Sequence, residues 1–377
     1  MDDRGDRIRV AHVLRSLEFG GAEKLVLELA MHQKESGEIA PDLICMRSLG
    51  PLSHDAEQHG LKPVLAGMHG IRYVSAIVRL MRIFSRRRPD VVHTHNFVSH
   101  VHAAPAAKLL GIPVIHTKHG KHVASFSRFP WLRRYLYNLS WRVAAVSGDT
   151  GSSLREKAGL DPSIIEVVYN GINVARYAAG SKREARKKLA VDEGVYLMGS
   201  VSRLDPVKDH RTMLEAFKEV AAERDDCLFM IIGDGPERER IKYSIGGLGL
   251  EGKVVMPGFI DDIPAVLPAL DLFLQPSIEE GLSLTILEAA ASRIPIIATP
   301  VGGTPEIIVD GVTGILVEAR NAVALAAAMN RFLEDPDHFR KLANNAKQRI
   351  EELFSLEKMV SSYHAMYRAA IDERVKA

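Results

Sequence analysis

Hydrophobic and polar positions follow two alternating patterns along the chain. Short apolar runs are separated by longer segments in which apolar residues recur with the spacing of a helix. In the first half the apolar runs cover residues 8–14, 43–46, 90–93, 113–117 and 142–147. Segments with helical spacing, such as residues 22–35 and 76–88, lie between these runs. The alternation predicts βαβ units and therefore a parallel sheet.

The same alternation starts again in the second half, after a charged segment at residues 181–191 that predicts a helix. The later apolar runs cover residues 195–202, 228–233, 253–256, 271–275 and 294–298. We therefore expect an α/β protein with two Rossmann-like domains, residues 1–178 and 190–355, facing each other across a cleft. A final helix at residues 356–377 is expected to pack back on the first domain. Ligands of such sheets bind beyond the carboxyl ends of the strands.

The composition is that of a soluble globular protein, with 46% hydrophobic and 25% charged residues in a chain of 377. A net charge of +2 gives no support for nucleic-acid binding. Cys45 and Cys227 lie in apolar runs, so we expect buried thiols in a reducing compartment. The sequence predicts neither a signal peptide nor an apolar run of about 18 residues that would span a membrane. These features favour a cytoplasmic location.

The segment from Glu280 to Glu288 carries the most information about chemistry. It follows the predicted strand at residues 271–275, and a helix is expected to begin near Ser283. Backbone N–H groups at a helix start lack partners within the helix and bind phosphate readily. Glu280 lies just before this helix start, and Glu288 is expected about two turns along. This arrangement suits a sugar nucleotide, with the sugar at Glu280, the phosphates at the helix start and the nucleoside near Glu288.

A second candidate segment, residues 200–209, contains Arg203 and Lys208 at the end of a predicted strand. Two cations held in this loop would neutralise a diphosphate, above all a departing one. The alternative is that both residues form surface ion pairs with Asp205 and Asp209. Taken alone, the segment favours ion pairing.

Three glycine-containing loops follow other predicted strands. Gly20 and Gly21 either let the backbone approach a ligand closely or form an ordinary tight turn. No Gly-x-Gly-x-x-Gly sequence follows any predicted strand, which disfavours dinucleotide binding. Residues 233–236 are expected to form a structural turn. The loop with Gly258 and Phe259 either meets a flat base or is a plain turn.

Histidines are concentrated in the first predicted domain, at His93, His95, His100, His102, His116, His119 and His122. Two pairs have i, i+2 spacing, which places side chains on one face of a strand and permits metal chelation. No carboxylate or cysteine set converges with them, and Asp335-Pro-Asp337 is interpreted as a helix cap, so we expect no metal site. His119, beside Gly120 at a strand end, is a candidate to hydrogen-bond a sugar hydroxyl or a phosphate as a neutral imidazole.

Basic and aromatic residues mark two further segments of the first predicted domain. One segment contains Arg79, Arg82, Arg86, Arg87 and Arg88. The other contains Phe126, Phe129, Trp131, Arg133, Arg134, Tyr135 and Trp141. Such surfaces suit an anionic membrane interface. The alternative is a solvated helix face together with an aromatic packing face.

Taken together, these motifs resemble those of the family-4 retaining glycosyltransferases, the group 1 glycosyl transferases of GT-B fold. The paired glutamates of residues 280–288 and the segment 202–208 carry most of the resemblance. Residues 168–173, 233–236 and 300–306 and the Gly20-Gly21 loop also fit the family pattern, in which Ser283 is often glycine or proline. The resemblance covers nearly the whole chain.

The resemblance implies roles for individual residues of the second domain, which would hold most of a nucleotide-diphosphate sugar. Glu280 would hold sugar hydroxyl groups, Glu288 the ribose hydroxyl groups, and Arg203 with Lys208 the diphosphate. The remaining donor-binding residues would be Gly281, Leu282, Ser283, Leu284, Thr285, Gly258 and Phe259. From the first domain, Gly21 would approach the phosphates and His119 the sugar near its reacting carbon. No protein side chain is implied as general base, because the leaving phosphate itself takes the proton.

The implied activity is metal-independent, retaining sugar transfer from a UDP-type donor, with no cofactor beyond this substrate. The expected acceptor is a polysaccharide or a lipid-linked glycan, on an enzyme that is cytoplasmic or peripheral at the inner face of the cytoplasmic membrane. Transfer to a small soluble acceptor and sugar-nucleotide epimerisation remain alternatives. A non-catalytic sugar-nucleotide sensor is disfavoured because Arg203, Lys208, Glu280, Glu288 and His119 are all present.

Overall fold

The computed structural model of the protein describes residues 7–68, 73–120 and 129–376. His122 and Phe126 lie outside the described residues. The chain divides into two units, Met1–Gly171 with Leu356–Ala377, and Ile172–Ser355. Each unit contains a parallel sheet with helices, which confirms the predicted α/β class.

The sheet of the first unit has seven strands. In chain order they are β1 (Ile8–Leu14), β2 (Ile39–Cys45), β3 (Val64–Leu65), β4 (Val91–His95), β5 (Val114–Lys118), β6 (Arg142–Ala145) and β7 (Ile165–Val167). Their order in space is β3-β2-β1-β4-β5-β6-β7. Successive strands are added first on one side of β1 and then on the other, so a topological switch point lies between β1 and β4.

The helices of the first unit cover both faces of this sheet. They are α1 (Gly21–Ser36), α2 (Leu52–Gln58), α3 (Tyr73–Arg87), α4 (Phe97–Leu109), α5 (Pro130–Tyr137) and α6 (Gly148–Ala158), with a short 3-10 helix at Pro162–Ile164. Buried side chains on α3, such as Leu80 and Phe84, recur at helical spacing and pack against the sheet. Because both faces are covered, every residue of β4 and β5 is buried, including the polar ones.

The last helix of the chain, named α16 in chain order (Leu356–Lys376), belongs to the first unit. Its buried Tyr363 and Tyr367 reach polar side chains of the sheet. The Tyr367 hydroxyl lies 2.7 Å from Nδ1 of His93, and the Tyr363 hydroxyl lies 2.9 Å from Oγ1 of Thr117. The helix therefore completes the polar network of β4 and β5.

The second unit contains a parallel sheet of six strands. They are β8 (Tyr196–Val201), β9 (Cys227–Ile232), β10 (Val254–Gly258), β11 (Leu272–Gln275), β12 (Ile296–Ala298) and β13 (Ile315–Leu316). Their order in space is β10-β9-β8-β11-β12-β13. The switch point of this sheet therefore lies between β8 and β11.

The helices of the second unit pack around this sheet and enclose one large apolar core that includes Phe217, Phe229 and Phe339. They are α7 (Val174–Ala178), α8 (Lys182–Lys188), α9 (His210–Glu223), α10 (Arg238–Leu248), α11 (Ile263–Val266), α12 (Leu284–Ala291), α13 (Thr304–Ile307), α14 (Ala322–Glu334) and α15 (Pro336–Leu353). Two 3-10 helices, Pro206–Lys208 and Leu267–Ala269, complete the unit.

The charged segment predicted as a helix is α8, and one of its arginines is buried. Arg186 donates from Nη2 to Asp271 at 2.5 Å and to the Val195 carbonyl at 2.9 Å. Asp271 also accepts from the Leu197 backbone N–H at 2.7 Å. A buried guanidinium needs such partners for its several N–H groups, and here they fix α8 to the start of β8 and β11.

Some details of the sequence-based picture differ in the structure. Three strands, β3, β7 and β13, were not predicted because two or three residues are too few to show an apolar run. His100 and His102 lie on α4 and not on a strand, so their i, i+2 spacing does not place them on one face. The two cysteines are buried and free, as predicted. None of the described helices combines the length and hydropathy of a membrane span.

Candidate functional site

The loops that follow β8 and β11 meet at the switch point of the second sheet. Parallel strands bring their carboxyl ends to one edge, and loops that diverge at a switch point leave a crevice for ligands. The backbone N–H of Ile278, after β11, donates to the Val207 carbonyl, after β8, at 2.8 Å. The two motifs predicted to bind a sugar nucleotide are therefore joined directly by their backbones.

An ion pair connects the side chains of the same two loops. Nζ of Lys208 lies 2.6 Å from Oε1 of Glu280, and their side chains are only 18% and 10% exposed. Gln275 and Ser277 each donate to the same carboxylate oxygen at 2.7 Å. Glu280 is therefore held by one cation and two neutral donors, so its position does not depend on Lys208 alone.

Gln275, at the end of β11, links Glu280 to the start of α12. Its Nε2 also donates to Oγ of Ser283 at 2.8 Å, and its Oε1 accepts from Oγ1 of Thr285 at 2.7 Å. Ser283 is the N-cap residue of α12, and its hydroxyl accepts from the Ile286 backbone N–H. The predicted helix start is thus present at Ser283. Sequence analysis missed Gln275, because no neighbouring residue in the sequence indicates that its amide bonds three side chains of the following loop and helix.

Two glycines support the Glu280 loop from the end of β12. Gly302 has φ of 61°, and a Cβ atom added there would lie 2.0 Å from the Glu280 carbonyl oxygen. The Gly303 backbone N–H donates to the Gly281 carbonyl at 2.8 Å. Thr299 adds a bond from its hydroxyl to the Ser277 carbonyl at 2.5 Å. The backbone around Glu280 is therefore packed against a segment that tolerates no side chain at residue 302.

Glu288 occupies a different environment from Glu280. It is the fifth residue of α12, about one turn from the helix start, so the expected two turns were wrong. The residue is buried, and its Oε1 accepts from the Tyr177 hydroxyl at 2.6 Å. Tyr177 on α7 was not identified from the sequence, since its partner is 111 positions away.

Arg203 and Lys208 differ in their partners. Arg203 is exposed and forms an ion pair with Asp205, as the ion-pair alternative for this segment expected. Lys208 instead pairs with Glu280, while Asp209 caps α9 and accepts from the Thr212 hydroxyl at 2.7 Å. Only Lys208 is thus held at the switch point.

The loops after β9 and β10 form the neighbouring part of this edge. The Gly233 backbone N–H donates to the Gly258 carbonyl at 2.9 Å. A Cβ atom on Gly233 would lie 1.9 Å from the Ser202 carbonyl oxygen, so this glycine is required by packing, as expected of a structural turn. Phe259 is half exposed beyond Gly258, next to these loops.

The glycine pair of the first unit lies at the carboxyl end of β1. Gly21 is the first residue of α1, and Gly20 is its N-cap in an extended conformation. A Cβ atom on Gly20 would lie 2.3 Å from Oε2 of Glu23. The carboxylate of Glu23 therefore lies close to this helix start, where the macrodipole stabilises a negative charge.

His119 follows β5 in the first unit. Its Nε2 lies 3.2 Å from Nδ1 of His95, and its buried Nδ1 has no hydrogen-bond partner among the described residues. Burial, with a smaller contribution from the charge of Lys118, lowers the pKa of His119 to about 4. The imidazole is therefore neutral at pH 7.

Within the described ranges, His12, His93 and His95 are the histidines grouped closely enough to hold a metal ion. Protein hydrogen bonds already engage their ring nitrogens. His12 bonds His95 at 3.0 Å and Gln33 at 2.8 Å, while His93 lies 2.7 Å from both Tyr367 and Thr117. A metal ion would have to break these bonds. Asp335, the first residue of the Asp335-Pro-Asp337 sequence, accepts from the His338 backbone N–H and caps α15, as predicted.

Two family models match the chain. The model of glycosyl transferases group 1 matches residues 181–349, and that of glycosyltransferase family 4 matches residues 19–176. An N-acetyl-alpha-D-glucosaminyl L-malate synthase from Bacillus anthracis is 30% identical over 295 residues, which are 77% of this chain and 77% of that protein. The chain belongs to the group 1, family 4 glycosyltransferases, as the resemblance implied.

Two further similarities extend over almost the whole chain. A UDP-Gal:alpha-D-GlcNAc-diphosphoundecaprenol alpha-1,3-galactosyltransferase from Escherichia coli is 27% identical over 384 residues, covering 97% of this chain and 98% of that protein. The structure of Anabaena HepE in complex with UDP and glucose matches with a TM-score of 0.84 at 22% identity. It covers 96% of this chain and 99% of that one, which shows the shared GT-B fold.

We predict that Gly302→Ala destabilises the protein more than Gly311→Ala does. Both glycines have positive φ, 61° and 69°, but a Cβ atom meets nothing within 4 Å at Gly311 and the Glu280 carbonyl at Gly302. The left-handed backbone costs an alanine about 1–2 kcal/mol at either site. The clash should add roughly 1–3 kcal/mol at residue 302 only. Thermal melting followed by circular dichroism checks this, and equal losses of Tm would contradict it.

Proposed function

We propose that this glycosyltransferase transfers a sugar from a UDP-sugar to a lipid-linked glycan or a growing polysaccharide, with retention and without a divalent metal. The observation that carries the proposal is the Lys208–Glu280 pair at the switch point of the second sheet. In this pair, a cation that can bind phosphate lies beside a carboxylate that can accept hydrogen bonds from sugar hydroxyl groups. The UDP and glucose named in the HepE complex support this donor class.

The donor would lie along the carboxyl edge of the second sheet. Glu280 accepts hydrogen bonds from sugar hydroxyl groups, and the N–H groups at the start of α12 point at the diphosphate. Glu288 takes the ribose hydroxyl groups beside Tyr177. Phe259 lies beyond β10, where a base would pack. Exposed Arg203 exchanges Asp205 for phosphate, since an exposed ion pair contributes little stability.

Charge balance supports transfer without a metal ion. A bound diphosphate needs positive charge, and Lys208, Arg203 and the start of α12 supply it. The two carboxylates of the site already have protein donors, Lys208 for Glu280 and Tyr177 for Glu288. A divalent ion would have to compete with those donors for its ligands.

The transfer itself breaks the bond between the anomeric carbon and the diphosphate oxygen and forms one to an acceptor hydroxyl oxygen. The acceptor attacks from the face that the diphosphate leaves, so the configuration is retained. Its proton passes to the leaving phosphate oxygen. Lys208 and the helix start stabilise the charge that develops on the diphosphate.

The acceptor part of the proposal rests on two observations. The E. coli relative is named for a diphosphoundecaprenol-linked acceptor. In the first unit, the exposed face of α5 carries Trp131, Arg134 and Tyr135, with Phe129 just before it. Aromatic and basic side chains of this kind lie well in a membrane interface. The B. anthracis relative is named for a small acceptor, L-malate, so a soluble acceptor stays the alternative.

A donor screen followed by product analysis tests the proposal. UDP-, GDP- and ADP-sugars are compared by thermal shift, since a ligand that binds the folded state raises Tm. The donor with the largest shift is then incubated with a polyprenyl-diphosphate-linked sugar or with L-malate. We expect transfer to the lipid-linked acceptor, retained anomeric configuration by NMR, and most activity left in EDTA.

The same experiment separates the alternatives. Conversion of the donor without an acceptor would indicate an epimerase, and transfer to L-malate alone would indicate a small-acceptor enzyme. Binding of UDP with neither transfer nor slow hydrolysis would indicate a sensor. Complete loss of activity in EDTA would contradict the metal-free mechanism.

We expect Lys208→Met to lower kcat by roughly 10²–10³-fold while changing donor affinity much less, because the charge on the diphosphate is greatest as it leaves. Lys208→Arg keeps the charge and should retain more of kcat. Lys218→Met, an exposed lysine on α9, is the matched control. Steady-state kinetics and donor titration measure both quantities. Equal losses of kcat and of donor affinity would contradict a role for Lys208 in stabilising the transition state.

We expect the wild-type protein to float with vesicles containing phosphatidylglycerol and to lose this binding in Trp131→Ser with Tyr135→Ser. The aromatic side chains are exposed on α5 and would insert at the headgroup level. Tyr243→Ser, an exposed aromatic on α10, is the control and should float like the wild type. Absence of wild-type flotation, or unchanged flotation of the α5 variant, would refute the membrane-surface part of the proposal.

A further inference from the structure

Two buried histidines and one partly buried histidine form a hydrogen-bonded chain in the first unit. His12 lies on β1, His95 ends β4, and His119 follows β5. Nδ1 of His12 lies 3.0 Å from Nε2 of His95, and Nδ1 of His95 lies 3.2 Å from Nε2 of His119. The chain therefore runs across three neighbouring strands and ends at the residue proposed to meet the substrate.

All three rings are neutral at pH 7. Burial is the main cause that lowers the pKa of His12 and of His119 to about 4. Burial, with the charges of the neighbouring histidines as smaller causes, holds the pKa of His95 well below its ordinary range. A neutral imidazole has one N–H donor and one acceptor nitrogen. The direction of one hydrogen bond therefore fixes the tautomer of every ring in the chain.

Gln33 on α1 sets that direction at the other end of the chain. Its Oε1 lies 2.8 Å from Nε2 of His12, and an amide oxygen only accepts, so His12 donates from Nε2. Nδ1 of His12 then accepts from Nε2–H of His95. Nδ1 of His95 in turn accepts from Nε2–H of His119, which leaves Nδ1 of His119 with a lone pair.

A second branch of hydrogen bonds is consistent with this orientation of the Gln33 amide. Nε2 of Gln33 donates to the Tyr367 hydroxyl at 3.4 Å, and that hydroxyl donates to Nδ1 of His93 at 2.7 Å. Nε2 of His93 then donates to Oγ1 of Thr117 at 2.7 Å. The Thr117 hydroxyl then donates to the Tyr363 hydroxyl at 2.9 Å. All these bonds are consistent with one order of donors and acceptors. Rotating the Gln33 amide by 180° would exchange donor and acceptor in each of them.

We propose that Gln33, acting through His12 and His95, presets Nδ1 of His119 as a hydrogen-bond acceptor for a hydroxyl group of the substrate. The inference rests on the proposed function, since it assigns the substrate group that His119 takes. Gln33, His12 and His95 are positioning residues, and His119 is the residue that touches the substrate.

The surroundings of His119 fit this role. Its Nδ1 is buried and unpartnered among the described residues. A Cβ atom on neighbouring Gly120 would meet no atom of the described residues within 4 Å. A buried acceptor without a donor is costly, and a hydroxyl group of the substrate would relieve that cost.

The preset tautomer also decides between the two ligands considered for His119. A sugar hydroxyl group donates to a lone pair, whereas an ionised phosphate oxygen only accepts. A neutral His119 with its proton on Nε2 therefore binds the hydroxyl and not the phosphate. A sugar that lacks this hydroxyl leaves Nδ1 unpaired and should be a poor substrate.

Two-bond ¹H–¹⁵N spectra of histidine-labelled protein test the preset directly, because they distinguish the tautomers of a neutral ring. Single His→Asn variants assign the signals of His12, His95 and His119. We expect the Nε2–H form for all three in the unliganded protein. An Nδ1–H form of His119 would overturn the proposal whatever the activity of the enzyme.

The substrate contact is tested by adding the UDP-sugar that gives the largest thermal shift. The Nδ1 resonance of His119 should move toward that of a hydrogen-bonded acceptor, and an unchanged resonance in the bound enzyme would overturn the contact. If no nucleotide sugar binds, the proposed function fails. The tautomers of the free protein still decide the preset in that case.

Variants of Gln33 test its role as the anchor. Gln33→Leu removes the acceptor, so we expect mixed tautomers at His119 and a fall in kcat of about tenfold, the effect of one lost neutral hydrogen bond. Wild-type tautomers and kcat in folded Gln33→Leu would contradict the assignment.

Thr94→Val is the matched control for a buried polar loss in the same sheet. Its Oγ1 bonds Nδ1 of His100 and Nδ1 of His116, each at 2.9 Å, in a network separate from the one containing Gln33. This variant should lower Tm while leaving the His119 tautomer and kcat unchanged. A tautomer change at His119 in this control would show that the effect of Gln33→Leu is general destabilisation.

Discussion

The ion pair between Lys208 and Glu280 is the interaction on which the site of the second unit depends. It joins the loops after β8 and β11 where the order of the sheet reverses, and it is largely shielded from water. Glu280 keeps Gln275 and Ser277 as donors when Lys208 turns toward another anion. The pair can therefore exchange partners during a reaction without leaving a buried carboxylate unsatisfied, which would otherwise be costly.

Buried polar groups are accommodated in two ways in this fold. In the second unit, buried charges are paired, as Arg186 is with Asp271. In the first unit, buried histidines are neutral, and their hydrogen bonds run between strands and to α16. Strand alternation separates them into two networks, because His93 and His95 point to one face of the sheet while Thr94 points to the other. Polar side chains can thus fill a parallel sheet that is otherwise apolar.

Sequence patterns predicted the features that depend on neighbouring residues in the chain and missed those that depend on tertiary contacts. The start of α12 at Ser283 followed from a strand, a turn and a helical pattern, and the candidates Lys208 and Glu280 followed from neighbouring strand ends. Gln275 and Tyr177 were missed because their significance comes from partners that only the fold supplies. His100 was misplaced because a run of small and apolar residues fits a strand or a buried helix equally well.

The three histidines of the chain are uncharged, which limits the hydrogen bonds and the charge that they can offer. A protonated imidazole has two donors, so protonation of any ring would set two N–H groups against each other and destroy the direction of the chain. Burial that keeps His12 and His119 uncharged therefore also keeps them directional. An uncharged His119 cannot neutralise a diphosphate. In the proposed donor complex, that charge is balanced by Lys208, Arg203 and the start of α12, and the proposed role of His119 is to bind a hydroxyl group.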